Sequence, residues 1–298
     1  MCCLFGYFNY SGQGIKDINT LTNSLAEQAT VRGTDATGIA YNDRGRMIIH
    51  KEPKSAYMIT LRHPENAVCV TGHTRHATQG NKKHNYNNHP FGGSCGGLRF
   101  ALCHNGIITN DTEIKNTYRL PRTKIETDSH VAVQLLEKKK QLNIENIKFM
   151  AETIRGSFAF SILDNTNTLR LVRGDNPLSL VHLPNFGLYV YASTDEILYK
   201  ALVDTKLFSE IKSGKFEEIK INTGDILSIT PDGEITYDNF EYMDYYSFYG
   251  FDYYGTESLY IDDLKAVAAF HGYSEDDIDE LLTCGFTPEE IEEYIFVG

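Results

Sequence analysis

Apolar residues recur along the first half of the chain in short runs of strand length, with one longer stretch of helical periodicity among them. The strand-like runs lie at residues 2–8, 38–41, 47–50, 67–74 and 98–103. The helical stretch spans 15–29. Residues 80–97 are rich in Gly, Asn and His, a composition that does not form a packed element on its own, so this segment is predicted to be a loop.

In the second half of the chain, helices come first and strands follow. Asn110-Asp111 is a helix start signal, and helical stretches span 127–140 and 144–154. Strands are predicted at 157–163, 169–173, 179–182, 188–192 and 225–229. Because strands outnumber helices and the helices arrive in a block, the pattern favours a layered α+β fold over a doubly wound parallel sheet.

Charge changes sharply near residue 233. Residues 1–233 carry a net charge of +4, whereas the remainder carries −16. Residues 234–258 are acidic, rich in Tyr and without periodicity, which predicts a connector. Residues 259–298 contain two similar segments, starting at Gly272 and Gly285, each with a hydroxyl N-cap and an acid at N3. We therefore predict one domain over 1–233, followed by the connector and an acidic three-helix tail.

The overall composition excludes several classes of protein. With 298 residues, 41% apolar and 23% charged, the chain can bury a large core and is not globally disordered. Its net charge of −12 disfavours a nucleic-acid partner. No apolar run approaches the roughly 18 residues of a membrane span, and no secretory signal precedes the first strand. The six cysteines lack CxxC spacing, so we expect reduced thiols in a cytoplasmic protein with no membrane partner.

One of these cysteines stands at position 2. Met1 is normally removed before a small residue, and its removal would leave Cys2 with a free α-amino group beside its thiol. The amine pKa of about 7.7–8.0 lies close to the thiol pKa of about 8.5, so the amine can act as a general base near neutral pH. Nucleophile and base would then belong to one residue.

Five segments strengthen this interpretation because they occur together and in order. They are Met1–Gly6, Arg32–Gly38, Gly72–Gly80, His104–Asn110 and Glu126–Asp128. In sequence they resemble the signatures of the class II glutamine amidotransferases, which are N-terminal-nucleophile (Ntn) hydrolases. The resemblance covers about residues 1–230. It implies a four-layer αββα sandwich, here with a small carboxyl-terminal helical appendage.

The resemblance also implies a role for each main candidate residue. Cys2 would attack the side-chain amide of glutamine. The Asn105 carboxamide and the Gly106 backbone N–H would form the oxyanion hole, which supplies fixed donors in place of water. Arg75 would bind the α-carboxylate of glutamine, since a guanidinium can grip a carboxylate at two points. Asp128 would bind the α-ammonium group.

Further residues receive supporting roles from the same resemblance. Thr78 would support the substrate carboxylate, Arg32 would brace the nucleophile region, and His76 lies among the substrate-binding candidates. Taken alone, Asn105-Gly106 could be a turn between strands. Asp128 could equally be a helix N-cap.

The chain departs from the family pattern at two places. Cys3 follows the nucleophile where the family usually has Gly, and strand alternation directs it to the face opposite Cys2, which favours a packing role. In the sugar-phosphate synthase branch a Trp and a later His stand where this chain has His76 and Gln79. Membership of that branch is therefore not predicted.

Five histidines fall close together, a composition that a metal site could use. They are His73, His76, His84, His89 and His104. Only the first two are closely spaced and no second tight pair completes a structural zinc pattern, so no metal is expected. The reaction implied by the resemblance needs no cofactor.

These observations leave three functions open. The first is a glutaminase that forms a Cys2 γ-glutamyl thioester and releases glutamate and ammonia, the ammonia passing to a separate acceptor enzyme or to solvent. The second is a hydrolase of another γ-glutamyl-type amide. The third is a non-catalytic protein that binds glutamine or a partner. Residues 259–298, loosely similar to ubiquitin-associated three-helix modules, are either a docking element for an ammonia-accepting synthase or other protein, or a solvated helical cap.

Overall fold

The protein was analysed as a computed structural model. It describes residues 2–203, 205, 207–243 and, near the carboxyl terminus, 261, 264, 265, 268, 269, 273–288, 290, 291 and 295. The chain divides into two compact units, an amino-terminal one that ends at Tyr242 and a carboxyl-terminal one that begins at Met243.

The amino-terminal unit alternates strands with two groups of helices. Its strands are β1 (Cys3–Asn9), β2 (Ala36–Asp43), β3 (Arg46–Glu52), β4 (Cys69–Arg75), β5 (Phe91–Cys95), β6 (Leu98–Ile108), β7 (Gly156–Asp164), β8 (Leu169–Arg173), β9 (Ser179–Leu183), β10 (Leu188–Ala192), β11 (Glu217–Ile219), β12 (Asp225–Ile229) and β13 (Ile235–Asn239). Its helices are α1 (Ile18–Gln28), α2 (Asp111–Thr117), α3 (His130–Lys139), α4 (Ile144–Thr153), α5 (Asp195–Val203) and α6 (Phe208–Lys212).

The strands form two antiparallel sheets with helices on their outer faces. The first sheet has the order β11-β9-β10-β1-β4-β2-β3 and the second β13-β12-β8-β7-β6-β5. Helices α1 and α5 pack on the first sheet, and α3 and α4 pack on the second. A third apolar cluster joins the two sheets. The predicted four-layer αββα sandwich is therefore confirmed for the described residues.

Strand β1 lies between β4 and β10, so both of its edges are hydrogen-bonded to neighbouring strands. Cys3 and Phe5 face the helices, whereas Leu4 and Phe8 face the second sheet. All of its residues are buried, which explains why the segment appears as an unbroken apolar run. The packing role predicted for Cys3 agrees with its place in the helix-side core.

The segment 80–97 contains a strand, so the prediction of a loop throughout was wrong. Strand β5 pairs with β6, with Phe91 opposite Leu102 and Cys95 opposite Leu98. Its two ends are buried in the same apolar cluster as α3. Residues 91–95 form a strand because the long strand β6 supplies their hydrogen-bond partners. The composition of the segment could not indicate this pairing.

Four elements near the end of the unit were not predicted, namely α5, α6, β11 and β13. Helix α5 buries Ile197, Leu198 and Ala201 against α1 and the first sheet. Strand β13 pairs with β12 along its whole length, from Asp225 opposite Asn239 to Ile229 opposite Ile235. The compact unit that contains this pairing ends at Tyr242, whereas the predicted domain ends at residue 233. The rest of the expected connector, 244–258, lies outside the described residues.

The carboxyl-terminal unit contains helix α7 (Glu275–Thr283). It begins with a capping box in which Ser274 accepts from the Asp277 N–H and the Asp277 carboxylate accepts from the Ser274 N–H, as the sequence pattern predicts. A small core of its own contains Leu264, Ala268, Ile278, Ile291 and Ile295. The separate role expected for this tail stays a prediction. Among the described residues no helix is long and apolar enough to cross a membrane.

His73 and His89 are buried next to each other in the amino-terminal unit. His73 Nε2 lies 2.9 Å from the His104 carbonyl oxygen, and the His73 and His89 ring centroids are 4.1 Å apart. Burial lowers the pKa of His73 to about 3 and that of His89 well below its ordinary value, and the neighbouring imidazoles add to both shifts. A proton on either ring would be desolvated and would face other cationic groups.

We expect the protein to lose stability as the pH falls below about 6.5, the ordinary pKa of histidine, because the unfolded chain then binds protons that the folded chain excludes. The His73→Gln variant should show a shallower loss between pH 6.5 and 4, by up to about 1.4 kcal/mol per pH unit. Urea unfolding across this range measures the slope. The exposed His50→Gln is the matched control, and equal slopes in parent and His73→Gln would contradict the assignment.

Candidate active site

Cys2 immediately precedes β1, at the end of a strand in the centre of the first sheet. Its thiol donates to the His76 carbonyl oxygen at 3.5 Å, and the buried Arg32 donates from Nε to the Cys2 carbonyl oxygen at 3.0 Å. Burial raises the pKa of the Cys2 thiol, and the Asp128 charge adds to this, whereas the His76 contact and the Arg75 charge oppose it. A thiol with a raised pKa needs a nearby base to become a nucleophile.

Asn105 and Gly106 lie in β6, in the second sheet. Asn105 is fully buried, and its Nδ2 donates to the Ser193 hydroxyl at 3.4 Å. Among the described residues its Oδ1 has no hydrogen-bond partner. Gly106 adopts a φ of +136°, and a Cβ at this position would lie 2.1 Å from the Ser157 carbonyl oxygen. Only glycine fits this backbone. Because both residues lie within β6, the dipeptide is part of a strand and not a turn between strands.

Arg75 ends β4 with a guanidinium that is almost completely buried. Nη1 donates to Asn88 Oδ1 at 2.7 Å, and Nη2 donates to the carbonyl oxygens of Gln79 and Gly80, the latter at 3.4 Å. The side chain therefore anchors the segment after β4, residues 76–90, at two places. Burial lowers the Arg75 pKa, against the opposing effects of Cys2, Asp35 and Asp128.

Asp128 lies just before α3 but does not cap it, since the N-cap position belongs to Ser129. The Asp128 carboxylate instead accepts from the Ile108 backbone N–H at 2.7 Å and from the Ser129 hydroxyl at 3.3 Å. Its own backbone N–H donates to Gln79 Oε1 at 2.7 Å. The geometry thus ties the predicted ammonium ligand to the strand that carries Asn105.

Gln79 is the residue whose importance the sequence did not show. Its backbone carbonyl accepts from Arg75 and its side chain accepts from Asp128, so it joins the two predicted substrate-binding residues. In the sequence Gln79 stands out only as a departure from one branch of the family. Thr78 is exposed beside it, and His76 is partly buried and contacts Cys2 through its backbone. The substrate roles of Thr78 and His76 stay predictions.

The segment after β4 has a further anchor outside Arg75. Asp35 accepts from the Ala77 backbone N–H at 2.8 Å and forms an ion pair with Lys82 at 2.5 Å. Burial alone would raise the Asp35 pKa, but the Lys82 and Ala77 contacts outweigh it and lower the pKa overall. The segment is thus held against both β2 and β4.

These contacts bring Cys2, Arg75 and Asp128 close enough for their charges to affect one another. The site therefore combines a thiol, a fixed cation, a fixed anion and a buried carboxamide. Such a set can hold a zwitterionic amino acid and present its side chain to the thiol. No group of three or more His, Cys, Asp or Glu side chains in the described part of the chain is arranged to bind a metal, and no cysteine there is in a disulfide.

Comparison with known proteins shows the family to which the chain belongs. A family model described as a glutamine amidotransferase domain matches residues 73–200. The chain carries a class II glutamine amidotransferase domain. Its fold is that of the Ntn-type cysteine enzymes of this family.

Two curated relatives are glutamine–fructose-6-phosphate aminotransferases. The protein from Listeria innocua is 30% identical over 72% of this chain and 36% of its own length, and that from Geobacillus kaustophilus is 32% identical over 78% and 38%. The chain therefore spans little more than a third of these relatives. A solved glutamine phosphoribosylpyrophosphate amidotransferase from B. subtilis shares the fold, with a TM-score of 0.62, 21% identity, and coverage of 80% of this chain and 49% of that one.

Replacing Gly106 by Ala should destabilise this domain more than the same change at a glycine with open surroundings. The added Cβ would collide with the Ser157 carbonyl, so the backbone of β6 must shift, and we expect a loss of about 2 kcal/mol or more. Gly97→Ala is the matched control, because Gly97 also has a positive φ but no atom near its Cβ position. Denaturant unfolding of both variants tests this, and equal losses would show that φ alone matters.

Proposed function

We propose that this domain hydrolyses the side-chain amide of L-glutamine to glutamate and ammonia. The observation that carries the proposal is the convergence of Cys2, Arg75 and Asp128 beside the Asn105-Gly106 segment of β6. Glutamine offers a carboxylate for the cation, an ammonium for the anion and an amide for the thiol. Cys2, Asn105 and Gly106 are the proposed catalytic groups, with Thr78, His76 and Arg32 in supporting positions.

The chemistry follows from a single residue acting as nucleophile and base. With Met1 removed, the Cys2 α-amine takes the thiol proton, and the sulfur attacks the amide carbon. The negative charge that develops on the amide oxygen is stabilised by the Asn105 carboxamide and the Gly106 N–H. The α-ammonium returns its proton to the leaving nitrogen, so ammonia departs and a γ-glutamyl thioester remains. Water, deprotonated by the same amine, then releases glutamate.

Substrate binding has to compete with contacts that Arg75 already makes. Its Nη1 and Nη2 hold Asn88, Gln79 and Gly80, so a bound carboxylate must either share the guanidinium or displace the segment. Arg has five N–H donors, which permits sharing. The Asp128 carboxylate would likewise have to accept hydrogen bonds from both the Ile108 backbone N–H and the substrate ammonium group. We expect the segment after β4 to adjust when glutamine binds.

The fate of the ammonia is a separate part of the proposal. The curated relatives are aminotransferases, as their names state, and they are much longer than the matched region. We propose that the ammonia formed here passes to a separate acceptor enzyme or to solvent. A cytoplasmic setting, which would keep Cys2 reduced, stays a prediction.

The decisive experiment measures glutamate release from L-glutamine by protein whose free Cys2 amine has been verified by mass spectrometry. The Cys2→Ala variant should lose at least about a thousandfold in kcat, because the nucleophile is removed. Cys3→Ala is the matched control, since that thiol is buried in the helix-side core, and it should retain activity.

The outcomes separate the three functions. Glutamate release by the parent and not by Cys2→Ala supports the proposed reaction. Release only from other γ-glutamyl amides would support the alternative amidohydrolase. No release from any amide, with the amine free, would favour a protein that binds glutamine or a partner without turnover.

We further propose that residues 259–298 dock a basic surface on a partner such as the acceptor enzyme. The described part of this tail has its own core, an acidic helix α7, and Phe286 with 49% of its side chain exposed. Deleting 259–298 should leave glutaminase kcat/KM within about twofold of the parent while partner capture is lost. Binding by the full chain should also weaken in high salt, as expected for opposite charges. Partner binding unaffected by the deletion would favour the solvated cap.

A further inference from the structure

Ser193 lies directly after β10 and is fully buried in the amino-terminal unit. Its backbone N–H donates to the Leu4 carbonyl oxygen at 2.9 Å, which continues the antiparallel pairing of β1 with β10. The Leu4 backbone N–H then donates to the Ser193 hydroxyl oxygen, also at 2.9 Å. The side chain of Ser193 therefore completes the pairing two residues after Cys2.

The same hydroxyl oxygen contacts Asn105 in the other sheet. Asn105 Nδ2 donates to it at 3.4 Å. Ser193 is thus a bridge between the strand that begins at the nucleophile and the strand that carries the carboxamide of the proposed oxyanion hole. It contacts neither the thiol nor the segment after β4 in any of these bonds.

This bridge controls which way the carboxamide points. A serine hydroxyl can accept from a carboxamide Nδ2 or donate to its Oδ1. Asn105 Oδ1 has no partner in the described part of the chain, so the bond from Nδ2 to Ser193 is the one that anchors this side chain. Nδ2 carries two hydrogens, so it can donate one to Ser193 and keep the second for the negative charge that develops on the substrate amide oxygen. Without the hydroxyl, a buried carboxamide would lose its anchor.

We propose that Ser193 is a positioning residue for the amide hydrolysis proposed above, acting through Asn105. It fixes the oxyanion donor in register with β1 and hence with the Cys2 sulfur. Its effect belongs to the transition state, because the charge on the amide oxygen develops only as the sulfur attacks. The inference rests on the proposed function and adds a residue that neither the motifs nor the resemblance indicated.

The test is a kinetic comparison of Ser193→Ala with its parent on L-glutamine. We expect kcat to fall about 10- to 100-fold with KM within about twofold, since the loss of one oxyanion donor costs about 100- to 1,000-fold and misorientation costs part of this. Ser161→Ala is the matched control. Ser161 is equally buried and also bridges the sheets, through a 2.7 Å bond to Thr71, but it does not contact Asn105. It should leave kcat near the parent value.

A double-mutant cycle separates positioning from general destabilisation. In an Asn105→Ala background, Ser193→Ala should change kcat by no more than about twofold, because the group it positions is already gone. Multiplicative effects would overturn the proposal, as would a parent-like kcat in Ser193→Ala. If Ser193→Ala does not fold, the nearly isosteric Ser193→Cys replaces it, because a thiol is a weak hydrogen-bonding group, and an unchanged kcat would again overturn the assignment.

The same data distinguish the two proposals. A parent chain with a free Cys2 amine that releases no glutamate overturns the proposed function, and the Ser193 role with it. An active parent whose Ser193→Ala variant keeps its kcat overturns the Ser193 role alone.

Discussion

The face-to-face packing of two antiparallel sheets is the constraint on which the rest of this domain depends. Strand β1 sits in the middle of the first sheet, with helices on one side and the second sheet on the other. Burying both faces removes a large apolar area from water and leaves no freedom in the register of β1. Because Cys2 directly precedes this strand, the register of the core also sets the position of the thiol.

Polar groups buried between the sheets carry that register from one sheet to the other. His73 contacts the His104 carbonyl and Ser193 contacts Asn105, and each of these two bonds crosses from the first sheet to the second. Buried polar groups are costly unless paired, so such bridges specify one alignment of the sheets rather than adding much net stability. The alignment that satisfies them also joins, through Ser193, the strand that follows Cys2 to the strand that carries Asn105. Packing and chemistry therefore depend on the same contacts.

The segment after β4 shows how charged residues can have two tasks. Arg75 has the charge and geometry to bind a carboxylate, yet here it holds Gln79 and Asn88. Asp128 is bonded to β6 and, through its N–H, to Gln79. The cation and the anion of the site are therefore fixed by the same segment. These contacts keep the two charged side chains oriented. A substrate that binds to both side chains, as we propose, would require the contacts to rearrange.

The sequence by itself determined a layered α+β fold and the thiol at position 2, because apolar periodicity and residue positions are local properties of the chain. Its ordered motifs, through the family they resemble, implied the αββα layering and the candidate residues. It did not reveal β5, since a strand rich in Gly and Ser forms only when β6 supplies its partners. It could not assign Gln79 or Ser193 either, because both act through residues distant in the chain. Only the tertiary structure decides such contacts, since they exist only once the sheets have been aligned.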